Sequence, residues 1–279
     1  MKKFILFAVA SLLGAVLFAQ GTVTTRSYRF SDFSDKVTKV VMSGNEWTDS
    51  ALRQEVVNRW TASAFEFCTP EEFESLKKSS DYYFLLTAEG KFKGEEDPGI
   101  VFLTLLKGGT EGADDINRLT EVISLPLGTT GTGTGRELVF LPALVEGIQA
   151  YALQAMSSEK TAYRRADWFN DNYARNGRIK RIYLSADDLS PQVTDKDREK
   201  YLDEDIILCD EDEADSVFSA GTYNTLVGYV IAPEGGLYCY KMLLEADTCT
   251  LYYIRRHKMG RKAGAGFLPE DLKRISKGR

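Results

Sequence analysis

Residues 206–213, Ile206-Ile207-Leu208-Cys209-Asp210-Glu211-Asp212-Glu213, join a short apolar run to an acidic one through a single cysteine. The run suits a buried strand, and the acids suit the first turn of a helix, where carboxylates favour the dipole. Residues 65–72, Phe65-Glu66-Phe67-Cys68-Thr69-Pro70-Glu71-Glu72, follow the same pattern: a strand ending in Cys, a capping residue, proline at the first helical position and two acids. Downstream of the first stretch, Thr225–Ile231 reads as a strand. Tyr238–Leu244 and Leu251–His257 read as a hairpin turning at Asp247-Thr248. Tyr82–Ala88, Ile100–Leu106 and Glu121–Leu127 repeat that order after residue 72. Upstream, Val40-Val41-Met42 corresponds to Arg181-Ile182-Tyr183. A helix opened by Thr48-Asp49, with Leu52, Val56 and Trp60 as its apolar stripe, corresponds to one opened by Thr194-Asp195.

Helices begun by Pro142 and Pro269 close the two units. The expectation is an α/β protein of two similar βαβαβββα lobes, an internal duplication, each a mixed sheet with helices packed on it. Right-handed crossovers make the first three strands of each lobe parallel, with the first central, and the hairpins add two antiparallel strands. Helices are expected on one main face. The boundaries read as a signal peptide over 1–19, a first lobe over 20–140, connecting helices over 141–177, and a second lobe with a basic tail over 178–279. The lobes should meet through the helices of 142–175, the second running from Thr161 to Arg175.

Lys2-Lys3, the uncharged apolar run Phe4–Phe18 and the Ala19-Gln20 junction have the form of a cleavable export signal. The run is short of the ~20 apolar residues that span a bilayer. No later run reads as long enough, so no transmembrane span is expected after cleavage. Without Lys2 and Lys3 the 35 basic residues become 33 against 41 acidic ones, a net charge of −8. An acidic chain gains nothing from phosphate backbones, which disfavours nucleic acid as a partner. The four cysteines form no CxxC pair. On the hairpin Cys249 is expected to face Ala246 and Cys239 to face Arg256, too far apart to bridge. Buried free thiols are the expectation, with Cys68–Cys209 the one pairing left open.

The candidate chemistry is sparse. His257 stands among Arg255, Arg256 and Lys258, where flanking cations lower its pKa and repel a metal; it reads as a solvated strand end. Gly128–Arg136, Gly-Thr-Thr-Gly-Thr-Gly-Thr-Gly-Arg, lacks the Gly-Lys-Ser/Thr ending of a phosphate loop and reads as a flexible surface loop. The acidic cluster 203–215 offers Asp210, Asp212 and Glu213 as metal candidates. It lacks the glycine and terminal Glu of a calcium hand, and its simpler reading is a helix start. Residues 255–279 hold nine Lys/Arg and two acids. Arg255, Arg256, Lys258, Arg261 and Lys262 are therefore the candidate contacts to an anionic envelope component or envelope protein. No cofactor is expected.

Glu66-Phe67-Cys68, Tyr82–Leu85, Arg136–Pro142, Cys209–Asp215, Asn224–Val227 and Tyr238–Lys241 resemble a family of uncharacterised exported proteins of Bacteroides-type bacteria. The order of helices and strands, with the final hairpin Leu243–Asp247 and Leu251–Tyr253, is similar to the amino-terminal domain of TolB and to CsgG-like envelope proteins. That likeness implies a non-catalytic part in an envelope assembly. The reading is thus an exported binding or assembly protein of the cell envelope, periplasmic or extracellular. A metal-assisted hydrolase using residues 203–215 is the first alternative, and a small-ligand or glycan binder the second.

Overall fold

The computed structural model describes residues 22–97, 99–109, 116–131, 133–261 and 263–277. The export signal, its Ala19-Gln20 junction and Lys262 lie outside the described residues. The first lobe runs β1 (Thr22–Val23), β2 (Val37–Val41), α1 (Glu46–Arg59), β3 (Ala64–Cys68), α2 (Pro70–Leu76), β4 (Tyr82–Gly90), β5 (Ile100–Lys107) and β6 (Thr120–Thr129). The connector holds α3 (Arg136–Met156), α4 (Glu159–Arg164), a 3-10 turn at Arg165–Phe169 and α5 (Asn170–Asn176). The second lobe runs β7 (Arg181–Ser185), α6 (Asp195–Tyr201), β8 (Ile206–Cys209), α7 (Glu211–Ser219), β9 (Thr225–Ile231), β10 (Tyr238–Glu245), β11 (Leu251–Lys258) and α8 (Pro269–Ser276).

The sheet orders are β1-β6-β5-β4-β2-β3 and β11-β10-β9-β7-β8. Apart from the short edge strand β1, the two lobes are one topology written twice. In each, the first strand lies between the second and third and parallel to both, and two antiparallel strands follow. Cys68 pairs with Val41 and Cys209 with Ser185, so both cysteines end equivalent strands. The last hairpin carries a bulge at the same place in each lobe, between Leu105 and Leu106 and between Leu243 and Leu244.

Several details differ from the expectations. The pairings equate Val41 with Ser185, so the correspondence of Val40–Met42 with Arg181–Tyr183 slips by three residues. Asn45, not Thr48-Asp49, caps α1, because its side chain accepts from the N–H groups of Trp47 and Thr48. Thr194 does cap α6 in a reciprocal box with Asp197. α3 starts at Arg136, after Gly135 at φ 89°, and carries Pro142 inside the helix rather than at its start. On the hairpin, the bulge and an αL residue at Cys249 (φ 54°) shift the register, so Cys239 faces His257. All four cysteines are unpaired.

The helices lie on both faces, not one. Successive right-handed crossovers run in opposite directions along each sheet, so one handedness places their helices on opposite sides. Leu52 and Val56 of α1 pack with Tyr83 and Leu85, whereas Phe73 of α2 packs with Phe84 and Leu86 on the other face. α3 joins α1 on the first lobe's inner face, and α8 correspondingly joins the α6 face of the second. The lobes therefore stack front to back: the α1/α3 face of the first meets the α7 face of the second. One core spans both, from Leu52 and Leu144 to Ala214 and Phe218. Phe140 of α3 stacks on Tyr229 of β9 at 4.4 Å, and the Tyr229 hydroxyl donates to the Leu127 carbonyl of the first lobe at 2.7 Å.

By length and composition α3 could cross a membrane, which corrects the expectation that no later run is long enough. Here it is the central core helix, with Phe140, Leu144, Ile148 and Tyr151 fully buried.

Candidate functional site: the cleft between the lobes

Two charged constellations lie where the lobes meet. The first is a closed hub. Arg136 is buried at the start of α3, and its Nε donates to both carboxylate oxygens of Asp215 (3.0 and 3.1 Å). Its Nη1 donates to Glu211 at 3.0 Å and lies 3.5 Å from Asp188. The guanidinium also lies over the rings of Phe140 and Tyr229. Burial, and repulsion from Glu211 and Asp215, push the Asp188 carboxyl up to about 7 against the pull of Arg136. This hub ties the connector to the second lobe, with Arg136 and Asp188 buried and Glu211 reaching solvent.

The second constellation is open. A cleft of about 640 Å³ is bordered by Phe102 and Glu121 of the first lobe, by residues 163–167 of the connector, and by Tyr240, Ile254 and Arg256 of the second. Glu121 is 6% exposed at the β6 bulge, where Leu106 and Leu105 pair with Glu121 and Ile123 and leave Val122 as the extra residue. Bulges of this kind re-aim a side chain at the edge of a site. Glu121 accepts a hydrogen bond from Nη2 of Arg165. Burial holds its carboxyl above the usual carboxylate range, with Arg165 and Ser124 opposing.

Arg165 breaks what would otherwise be one helix from Glu159 to Asn176. Its backbone sits at φ 53°, ψ −137°, a conformation that favours glycine. Its Nε is buried without a hydrogen-bond partner, although about a third of the side chain remains exposed. Across the cleft, Arg256 lies over three rings: Tyr238 at 4.6 Å, Phe92 at 5.2 Å and Tyr240 at 5.9 Å. Tyr163, 76% exposed, stands at the rim.

The residues singled out from sequence are scattered. Asp210 caps α7 by accepting from Glu213 N–H at 2.7 Å; Asp212 and Glu213 are exposed in the first turn. Among the described residues no group of three His, Cys, Asp or Glu side chains is placed to hold a metal ion. Of the basic candidates, Arg256 enters the cleft. Arg255 borders it, but strand alternation puts its side chain with Tyr253, on the α8 side of the sheet. Lys258 and Arg261 are exposed beyond it. His257 is half-buried rather than solvated: its Nε2 is 2.8 Å from the Gly264 carbonyl, and burial, more than the neighbouring cations, lowers its pKa. Arg136 lies in a helix and not in a flexible loop.

Sequence reading missed Glu121, Arg165 and Asp188. A lone carboxylate inside the apolar run 119–127 was the available signal for Glu121. Nothing local marks Arg165, which carries no glycine or proline beside it. Comparison with family models, curated proteins and solved structures finds no match to this chain.

Proposed function

We propose that this chain is an exported binding protein of the cell envelope that works through the cleft between its lobes. The observation that carries the reading is Arg165, held in a glycine-type backbone with its guanidinium against a buried Glu121 on the cleft wall. Strain of this kind costs about 1–3 kcal/mol and clusters at ligand sites. The cleft volume falls within the roughly 300–1,000 Å³ of small-molecule sites. Charges and rings dominate its border, and these hold and orient a ligand. The Ser124 hydroxyl there accepts from Thr104 at 3.0 Å.

An envelope location rests on the amino-terminal pattern of Lys2-Lys3 and the apolar run before Ala19-Gln20. The order of helices and strands, similar in the sequence to the TolB amino-terminal and CsgG-like domains, adds an assembly role to this proposal. In it, Arg256, Lys258 and Arg261 meet an envelope protein or an anionic envelope component.

Two measurements test the reading. Mass spectrometry of protein recovered from the periplasm should find a chain beginning at Gln20; a chain retaining Met1 argues against export. Solvent extracts of the natively purified protein should contain a compound missing from an Arg165→Lys, Tyr240→Ala double variant. Identical extracts would move the site elsewhere.

A further inference from the structure

Arg165 presents a planar fork, yet only one tine is used. Nη2 donates to Glu121, while the adjacent Nε is buried and unpaired. An arginine fork matched to a carboxylate makes two parallel N–H···O bonds, and leaving a buried donor unmade is costly. Glu121 reaches Arg165 from a fixed place on a strand and satisfies one donor, so it fills the position of a better-fitting carboxylate without matching it. The neighbouring walls are ring faces: Phe102 and Tyr240 pack edge to face at 5.7 Å, and Tyr163 is free at the rim.

Resting on the cleft as the binding site, we infer that its ligand is an organic carboxylate with a flat apolar body, which takes both donors of the Arg165 fork and displaces Glu121. The displaced carboxylate then loses its ion-pair partner, and the cation left in the cleft is Arg256, whose Nη1 donates to the Tyr240 hydroxyl at 3.4 Å. The other groups facing it are the hydroxyls of Ser124, Tyr151 and Tyr240, on β6, α3 and β10. Two of these are phenols whose own pKa burial raises, so they supply no charge. Already held above its usual range beside Arg165, Glu121 rises further once that partner is lost. Ligand binding is therefore coupled to proton uptake by Glu121. Binding tightens as pH falls from 8 to 6, by at most tenfold per unit for one linked proton.

Calorimetry on the full mature chain, with benzoate and 2-naphthoate as probes, tests this. Acetate serves as the ring-free control, benzamide as the neutral one and phenyl phosphate as the alternative anion. Both aromatic carboxylates should bind at least tenfold more tightly than acetate or benzamide, with proton uptake read from buffers of different ionisation enthalpy. Glu121→Gln should bind several-fold more tightly and lose the proton uptake. Arg165→Lys, which keeps the charge and loses the fork, should weaken binding at least tenfold. Arg165→Gly should lose it while relieving the backbone, so loss of binding with a retained melting transition separates recognition from folding. Equal binding of benzamide, tighter binding of phenyl phosphate, absence of proton uptake, or no binding by any probe each overturns the carboxylate assignment. None of these touches the extracted-compound test, by which the cleft itself stands or falls.

Discussion

Glu121 and Leu251 hold the same place in the two lobes, opposite Leu106 and Leu244 at the bulge of the last hairpin. One is a buried carboxylate on a cleft; the other is 1% exposed in the shared core. A second pair reverses the pattern. Leu103 and Ile123 are apolar beneath α3, but their counterparts Lys241 and Tyr253 meet the buried Asp271 of α8. The front-to-back stacking explains both. The first lobe's face is covered by a 21-residue helix that is itself buried against the second lobe, and apolar contact suffices to fix it. The equivalent face of the second lobe is covered by an eight-residue helix with water on its far side, burying only Leu272 and Ile275 among its apolar residues. Terminal units of repeated folds need such a polar-faced cap. The duplicated frame is thus kept where strands pair, and its chemistry diverges wherever one copy faces the partner lobe and the other faces solvent.

The largest test of that difference is Lys241→Met. Lys241 and Asp271 are 1% and 3% exposed, so removing the cation strands a carboxylate in the interior at a cost of about 3–5 kcal/mol. The double variant Lys241→Met, Asp271→Asn should be more stable than either single one, because an amide still accepts from Leu268 N–H and needs no cation. Urea unfolding of the three variants decides it. Additive losses would mean that Lys241 and Asp271 act separately and that α8 is held by packing, as α3 is.

A smaller effect concerns the hub. Three residues past β2 the first lobe has Gly44, and three past β7 the second has Asp188, buried against Arg136. Burial pushes the Asp188 carboxyl up to about 7 in the folded state, above the usual carboxylate range, so the native state binds the extra proton. Its stabilising contribution is full below about pH 4 and is lost as pH rises toward 7. Wild type should therefore lose roughly 1–3 kcal/mol relative to Asp188→Asn between pH 4.5 and 7.5. Denaturation midpoints of both proteins across that range measure it. A difference that stays flat would show an ionised carboxylate throughout, and an ordinary ion pair at the lobe junction.

The sequence carried the strands of both lobes because each is a short apolar or alternating run bounded by turn residues, and strand order then followed from crossover handedness. The matched Cys68 and Cys209 registered the copies correctly. The correspondence of β2 with β7 reads three residues off in sequence, since neither strand carries a cysteine or a turn that pins it to its counterpart. Which face each helix covers required both crossover directions to be followed, and only the folded chain shows which faces meet. The site was least legible. Thr161–Arg175 reads as one helix, and its break at Arg165 is imposed by packing against Glu121 and the second sheet rather than by any residue that prefers it. Arg256 was visible as a charge but not as a neighbour of Phe92, 164 positions away in sequence.

The smallest expected effect lies at the two caps that first revealed the duplication. Thr69 accepts from Glu72 N–H at 3.2 Å and Asp210 from Glu213 N–H at 2.7 Å, each just after the cysteine that ends its strand. If both do only this, Thr69→Ala and Asp210→Ala should each cost about 1 kcal/mol, the usual worth of an N-cap. Asp212→Asn and Glu213→Gln should change stability less, being exposed and contributing only through the helix dipole. Calcium or magnesium should leave the melting temperature of the wild type and of all four variants unmoved. A metal-dependent rise in melting temperature, seen in wild type and in Thr69→Ala but abolished in Asp210→Ala and Asp212→Asn, would give the second cap a chemistry the first lacks. It would also restore the acidic cluster as an ion site. Without that asymmetry, the acids at 210–213 are in the second lobe what Thr69, Glu71 and Glu72 are in the first: the residues that start a helix on the correct side of the sheet.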